Sequence, residues 1–238
     1  MRSLIFAGTV ALAATQVIAC TASTGEDFGL ITANWSFKEL PSTVIAACPP
    51  GFETADVHAT LLDINGNPST IPSDTIIDKY DCADNTGTAE YPIGAYQVFV
   101  EINGTGGVYG QSLSAIVDIV AQDQTVSVTL VDNGGYFVFD WDLVDAVSNA
   151  PLTCATAGNP DSIEILSTLS GTTAAVADKF DCEVGTGVTG ALLAGSYTIS
   201  VAALNAADQA LGEPQNSSHV IGDRNAVTDL GVITLPID

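Results

Sequence analysis

Five cysteines carry most of the covalent chemistry open to this 238-residue chain. Cys48 recurs 106 positions later as Cys154, and Cys82 recurs 100 positions later as Cys182. Four cysteines allow three connectivities. Their matching places in two repeats favour pairing within each repeat, Cys48 with Cys82 and Cys154 with Cys182. A metal or redox role would need a Cys-x-x-Cys pair or a neighbouring histidine, and the sequence has neither. Cys20 is the cysteine left over.

The remaining candidates for chemistry each have a simpler structural reading. His58 and His219 have no sequence-evident nucleophile, and no Gly-x-Ser-x-Gly occurs, so a hydrolase triad is not supported. Asp140 and Asp142 flank Trp141 and should point outward together, as a glycosidase carboxylate pair would. The first repeat has Asn34 and Ser36 in their place. Asp63-Ile64-Asn65-Gly66-Asn67 opens like a calcium loop, but Pro68 stands where an EF-hand needs glycine and no Glu closes it; a hairpin turn is expected. Gly104 to Gly107 has no following helix and is no phosphate loop. Trp35 and Trp141 could stack sugars, yet their recurrence at one strand position favours core packing. The expectation is therefore no catalytic, cofactor-binding or metal-ligating residue, and no enzyme.

Cys20 has a different context. Met1 to Ala19 carries Arg2 and then a mostly apolar run from Leu4 to Ala14, too short and too interrupted for a membrane span but suited to a secretory leader. Val17-Ile18-Ala19-Cys20 resembles the lipobox of bacterial lipoproteins, with Val in place of the usual Leu. That resemblance implies cleavage before Cys20, a diacylglycerol thioether on its sulfur, and a further acyl chain on its amine. Two or more chains make a stable anchor at about 0.8 kcal/mol per buried methylene. Thr21, rather than Asp, follows the cysteine, which implies sorting to the outer membrane.

The elements that must position the other cysteines repeat with them. Asp78-Lys79-Tyr80-Asp81-Cys82 returns as Asp178-Lys179-Phe180-Asp181-Cys182, Trp35 as Trp141, Gly94-Ala95-Tyr96 as Gly195-Ser196-Tyr197, and Thr129-Leu130 as Thr234-Leu235. Conserved order with a slightly drifting offset is the signature of a duplicated domain. Alternation of period two predicts strands at 29–37, 56–63, 75–82, 95–102, 108–110, 114–121 and 125–131, with 83–88 a loop. The second repeat follows the plan with strands at 136–143, 162–169, 173–182, 196–204, a return at Leu211-Gly212, then 218–221 and 228–237. In this alignment His58 matches Glu164. Seven short strands per repeat, with turns every eight to twelve residues and no helical period, predict an all-β chain of two antiparallel sandwiches. The expected divisions are a signal peptide at 1–19, a lipidated tether at 20–28, and sandwiches at 29–132 and 133–238, joined so tightly at Asp132-Asn133-Gly134-Gly135 that hinging should be restricted.

Tyr91-x-x-Gly94-x-Tyr96 and Leu192-x-x-Gly195-x-Tyr197 let each strand-leading tyrosine pack inward and tie its hydroxyl back to the corner. With Trp, Cys, Asp-Cys and the final Thr-Leu strand, the chain resembles tandem Ig-like or carboxypeptidase-regulatory-like β-sandwich domains of uncharacterised bacterial lipoproteins. The resemblance spans nearly the whole mature chain. It implies architecture and says almost nothing about activity, since this fold hosts many functions.

Charge narrows the partners. From Cys20 onward, 28 acidic side chains face four basic ones (Lys38, Lys79, Lys179 and Arg224), a formal charge of −24 spread over both repeats. Such a field repels phosphate backbones, so nucleic acid is excluded as a partner. The expected partners are the membrane, through Cys20, and an envelope protein or glycan. The functional expectation is a lipid-anchored, non-catalytic binding or structural module of the outer membrane. The alternatives are a calcium-dependent adhesin or an accessory domain of an envelope enzyme system. A calcium site would need convergence of loop acids, chiefly Asp63, Asp84, Asp132 and Asp161. Because the repeats do not share them, simple charge screening is expected instead.

Overall fold

A computed structural model describes residues 28–42, 45–120, 122–158 and 160–238, with 45 and 46 as backbone only. Cys20, the leader and the tether up to Asp27 lie outside the described residues. The first repeat runs β1 (Phe28–Lys38), β2 (Ile45–Ala46), β3 (Thr54–Leu61), β4 (Thr75–Asp81), β5 (Thr86–Pro92), β6 (Gly94–Gly104), β7 (Gly107–Gln111), β8 (Ala115–Ile119) and β9 (Gln124–Val131). The second runs β10 (Gly134–Asp145), β11 (Pro151–Leu152), β12 (Ser162–Leu169), β13 (Ala175–Asp181), β14 (Thr186–Val188), β15 (Leu192–Leu193), β16 (Gly195–Leu204), β17 (Gln215–Ile221) and β18 (Ala226–Ile237). Among the described residues no helix is long and apolar enough to cross a membrane.

Each repeat folds as two sheets around its own core. In the first, β1 is central, with β5 and β2 along one edge and β9 along the other. The facing sheet has the order β4-β3-β6, with β7 and β8 sharing the far edge of β6. In the second, β10 takes the place of β1, flanked by β15, β14 and β11 on one side and β18 on the other, and the facing sheet is β13-β12-β16-β17. The chain is thus all-β and its two halves share one plan. Ladders are antiparallel except between the first and last strand of each repeat: β1 with β9 and β10 with β18 run parallel. The chain therefore enters each sandwich at one end and leaves it at the other.

Alternation along the strands decides what is buried. β1 turns Ile31, Ala33, Trp35 and Phe37 inward against Val57, Val98, Val100 and Leu130. β10 turns Phe137, Phe139, Trp141 and Leu143 inward against Ile163, Ile165, Ile199 and Leu235. Each large apolar side chain so buried contributes about 1.5–3 kcal/mol. Both tryptophans are core residues. Disulfides join Cys48 to Cys82 and Cys154 to Cys182, with Cα atoms 6.0 and 5.9 Å apart. The tyrosine corners form in both repeats: Tyr96 donates to the carbonyl of Pro92 at 3.0 Å and Tyr197 to that of Leu193 at 2.9 Å.

Three local expectations are corrected. Residues 83–88, expected as a loop, hold a single 3-10 turn (Cys82–Asp84) and then the start of β5. The inward position that would have advertised this strand is Gly87, where a Cβ would lie 2.4 Å from the Tyr80 ring. Gly187 has the same position under Phe139 and Phe180. The return at Leu211-Gly212 is too short to be a strand: Ala210 bridges Leu204 and the Leu211 amide donates to the carbonyl of Ala203 at 3.0 Å, while β17 covers the rest of the edge that β7 and β8 share in the first repeat. Finally, His58 does not match Glu164. Asp56 faces Lys79 across β3 and β4 as Glu164 faces Lys179 across β12 and β13, so His58 corresponds to Leu166.

Candidate functional site

The duplicated pentapeptide is structural, and each of its residues has an identifiable contact. Asp78 accepts from the Tyr91 hydroxyl at 2.6 Å, and Asp178 accepts from the Gly190 amide at 3.1 Å. Lys79 pairs with Asp56 at 2.8 Å, while Lys179 reaches Asp208 at 2.5 Å and Glu164 at 3.7 Å. Tyr80 and Phe180 lie beside Trp35 and Trp141, ring centres 6.1 and 6.2 Å apart. Asp81 and Asp181 cap the following turn by accepting from the amides of Ala83 and Glu183 at 3.0 Å. Burial and the bond to Asp78 push the Tyr91 phenol well above the ordinary tyrosine range, which keeps it a donor.

On the outer face of the β4-β3-β6 sheet the structure gathers side chains that the sequence keeps apart. Asp56 and His58 sit two residues apart on β3 and so share a face. Glu101 lies opposite Asp56 on β6, and Phe99 lies opposite His58. The imidazole stacks on the Phe99 ring, centres 4.5 Å apart and planes 11° apart. His58 Nε2 is 3.9 Å from Glu101 Oε1. Asp56 is 5% exposed. Its Oδ2 accepts from Lys79, whereas Asp56 Oδ1 and His58 Nε2 are buried without a hydrogen-bond partner. Burial lowers the His58 pKa below 6.5, and the pull of Glu101 and Asp56 in the other direction does not offset it. Among the described residues, these three are the one group of His, Cys, Asp or Glu whose ligand atoms all lie within 4.8 Å of each other. Sequence reasoning assigned no metal ligand. The i, i+2 spacing of Asp56 and His58 was visible, but Glu101 becomes their neighbour only through pairing of β3 with β6.

A second assembled region is the junction of the sandwiches. Gly134 and Gly135 open β10 where any Cβ would collide with the carbonyls of Leu192 and Ala226, at 2.0 and 1.9 Å. The turn between β17 and β18 reaches back to the first sandwich. Asn225 accepts from the Val131 amide at 2.7 Å and donates to the carbonyl of Gln111 at 2.7 Å. The Arg224 guanidinium lies 5.4 Å from the Tyr109 ring centre and 5.9 Å from that of Phe52, and Tyr109 donates to Asp132. Leu40 and Asn133 exchange two hydrogen bonds of 2.7 and 2.6 Å. A cleft of about 460 Å³ opens here, between Phe37, Pro50, Phe52, Tyr109, Asp132 and Arg224. Nothing in the residue types of Arg224 and Asn225 marked them as a clamp. Their paired positive φ values, 57° and 59°, are a property of the folded turn.

The other sequence candidates stay separate. Asp140 and Asp142 project outward from β10 and are exposed. Asp63 accepts from the amides of Asn65 and Asn67 at 2.8 and 2.9 Å, the hairpin turn expected, and those bonds lower its pKa. Asp63, Asp84, Asp132 and Asp161 form no converging group. His219 lies on edge strand β17, with its ring edge-on to Phe137 at 6.2 Å.

No family model and no curated protein matches the chain. Among solved structures it is similar to a leucine-rich repeat protein from Bacteroides thetaiotaomicron (10% identity, 89% of this chain and 26% of that one, TM-score 0.40). It is also similar to the minor pilin GBS52 of Streptococcus agalactiae (11%, 88% and 97%, 0.30) and to the shaft pilin SpaA of Lactobacillus rhamnosus GG (11%, 89% and 98%, 0.28). The chain spans about a quarter of the leucine-rich repeat protein's length. Overlap of this degree says nothing of function.

Proposed function

We propose that the protein is a lipid-anchored, non-catalytic module of the bacterial outer membrane, holding two acidic sandwiches in fixed relation for an envelope protein or glycan. The observation that carries this reading is the junction: a two-residue turn between β9 and β10, clamped from the far side by Asn225 and Arg224. A rigid double unit suits a spacer or binding platform better than an enzyme that must close over a substrate. The side chains weighed for sugar stacking and for calcium are structural: Trp35 and Trp141 pack in cores and Asp63 is bonded within its own turn. Cys20, preceded by Val17-Ile18-Ala19, supplies the anchor, and Thr21 the outer-membrane sorting.

Detergent-phase partitioning of cells producing the wild type or Cys20→Ser tests the anchor. Wild type is expected in the detergent phase, and Cys20→Ser in the aqueous phase or unprocessed. Equal partitioning of the two would rule the anchor out.

A further inference from the structure

We infer that the outer face of the first sandwich binds a divalent transition-metal ion of the zinc class through Asp56, His58 and Glu101. The inference is independent of the lipid anchor.

Geometry provides the first support. The three side chains come from adjacent positions on β3 and β6, and their ligand atoms lie within 4.8 Å of one another. Ligand atoms bound at 2.0–2.2 Å to one tetrahedral ion stand roughly 3.4 Å apart. The 3.9 Å between His58 and Glu101 therefore needs only a small side-chain adjustment. Stacking on Phe99 holds the imidazole plane while that adjustment occurs.

The second support is unmet polar capacity. A carboxylate oxygen on a residue 95% buried, and an imidazole nitrogen beside it, both lack partners. Folded proteins rarely leave such atoms unsatisfied, and a cation between them satisfies both at once.

Donor type then selects the ion. One imidazole nitrogen and two carboxylate oxygens suit zinc or a neighbouring transition metal, with water completing an open site. Calcium, which takes six to eight oxygens, is poorly served. Lys79 is the built-in competitor: its ammonium is 2.8 Å from Asp56 Oδ2, but its side chain is 69% exposed and free to swing into solvent.

The second sandwich acts as an internal control. It keeps the lysine–carboxylate pair, Lys179 with Glu164 at 3.7 Å, but has Leu166 and Ala202 where the first has His58 and Glu101. The ion pair belongs to the shared fold, and the other two ligands are additions confined to the first repeat.

The test uses the full mature chain, purified in detergent, stripped with EDTA and titrated with zinc at pH 7.5 by calorimetry. One equivalent should bind, with the Kd raised at least tenfold in His58→Gln and in Glu101→Gln and lowered in Lys79→Met. Metal-free melting of each variant reports whether it folds. In wild type, zinc should shift the imidazole NMR signals of His58 and leave those of His219 unchanged, a readout that needs no variant to fold. Zinc binding of undiminished affinity in folded His58→Gln or Glu101→Gln, no binding at all, or equal shifts at both histidines would overturn the site.

Discussion

The indole Nε1 of Trp35 donates to the backbone carbonyl of Cys82 at 2.8 Å, and the partners stand 47 residues apart in sequence. Trp141 makes the same bond to Cys182 at 3.2 Å. Tryptophan, disulfide and turn cap are therefore one unit in each sandwich, which is why they recur together.

Replacing Trp35 by Phe keeps an aromatic ring in the core but leaves that buried carbonyl without its indole donor. A loss of about 1–3 kcal/mol is expected from the unsatisfied group, with more from the smaller ring. Trp141→Phe should behave alike. Urea denaturation of the oxidised protein measures both, and an unchanged midpoint for either would show that the bond contributes nothing.

Asn225 tests the clamp. Asn225→Ala strands the Val131 amide, on a buried residue, at a cost of about 1–3 kcal/mol. It should separate the unfolding of the two sandwiches into distinct calorimetric transitions and broaden the distance distribution in small-angle scattering. A calorimetric trace identical to wild type would mean that the Asn225 side chain is not what holds the junction.

His58 predicts a pH dependence of definite sign. Its folded-state pKa lies below the ordinary 6.5 because of burial, so the folded state binds this proton less readily than the unfolded one. Its contribution is fully present above about pH 6.5 and is lost as pH falls through 6.5 toward the folded value. Melting temperatures of metal-free wild type and His58→Gln should therefore converge or cross between pH 7.5 and 5, with wild type losing more. A wild type that gains on His58→Gln as the pH falls would reverse the assignment.

Calcium should act on this protein only as a source of ionic strength. The loop acids do not converge, while a formal charge of −24 from Cys20 onward makes screening substantial over roughly 10 Å at 0.1 M salt. Sodium and calcium at matched ionic strength should raise the melting temperature equally. A gain of several degrees with millimolar calcium alone would revive the calcium-dependent adhesin.

The sequence by itself determined the duplication, the disulfide partners, the tyrosine corners, the buried tryptophans and most strand positions. All of these are written in local alternation or in repeated spacing, which survive without knowledge of neighbours. β5 escaped because Gly87 hides its inward face, and only the Tyr80 ring explains why a glycine stands there. The tertiary structure alone decided the parallel pairing of β1 with β9, the meeting of Asp56 and His58 with Glu101, and the reach of Asn225 across the junction. Each depends on register between segments far apart in the chain. Register is set by which faces can be buried together, and a one-residue slip would move Glu101 to the opposite face of the sheet.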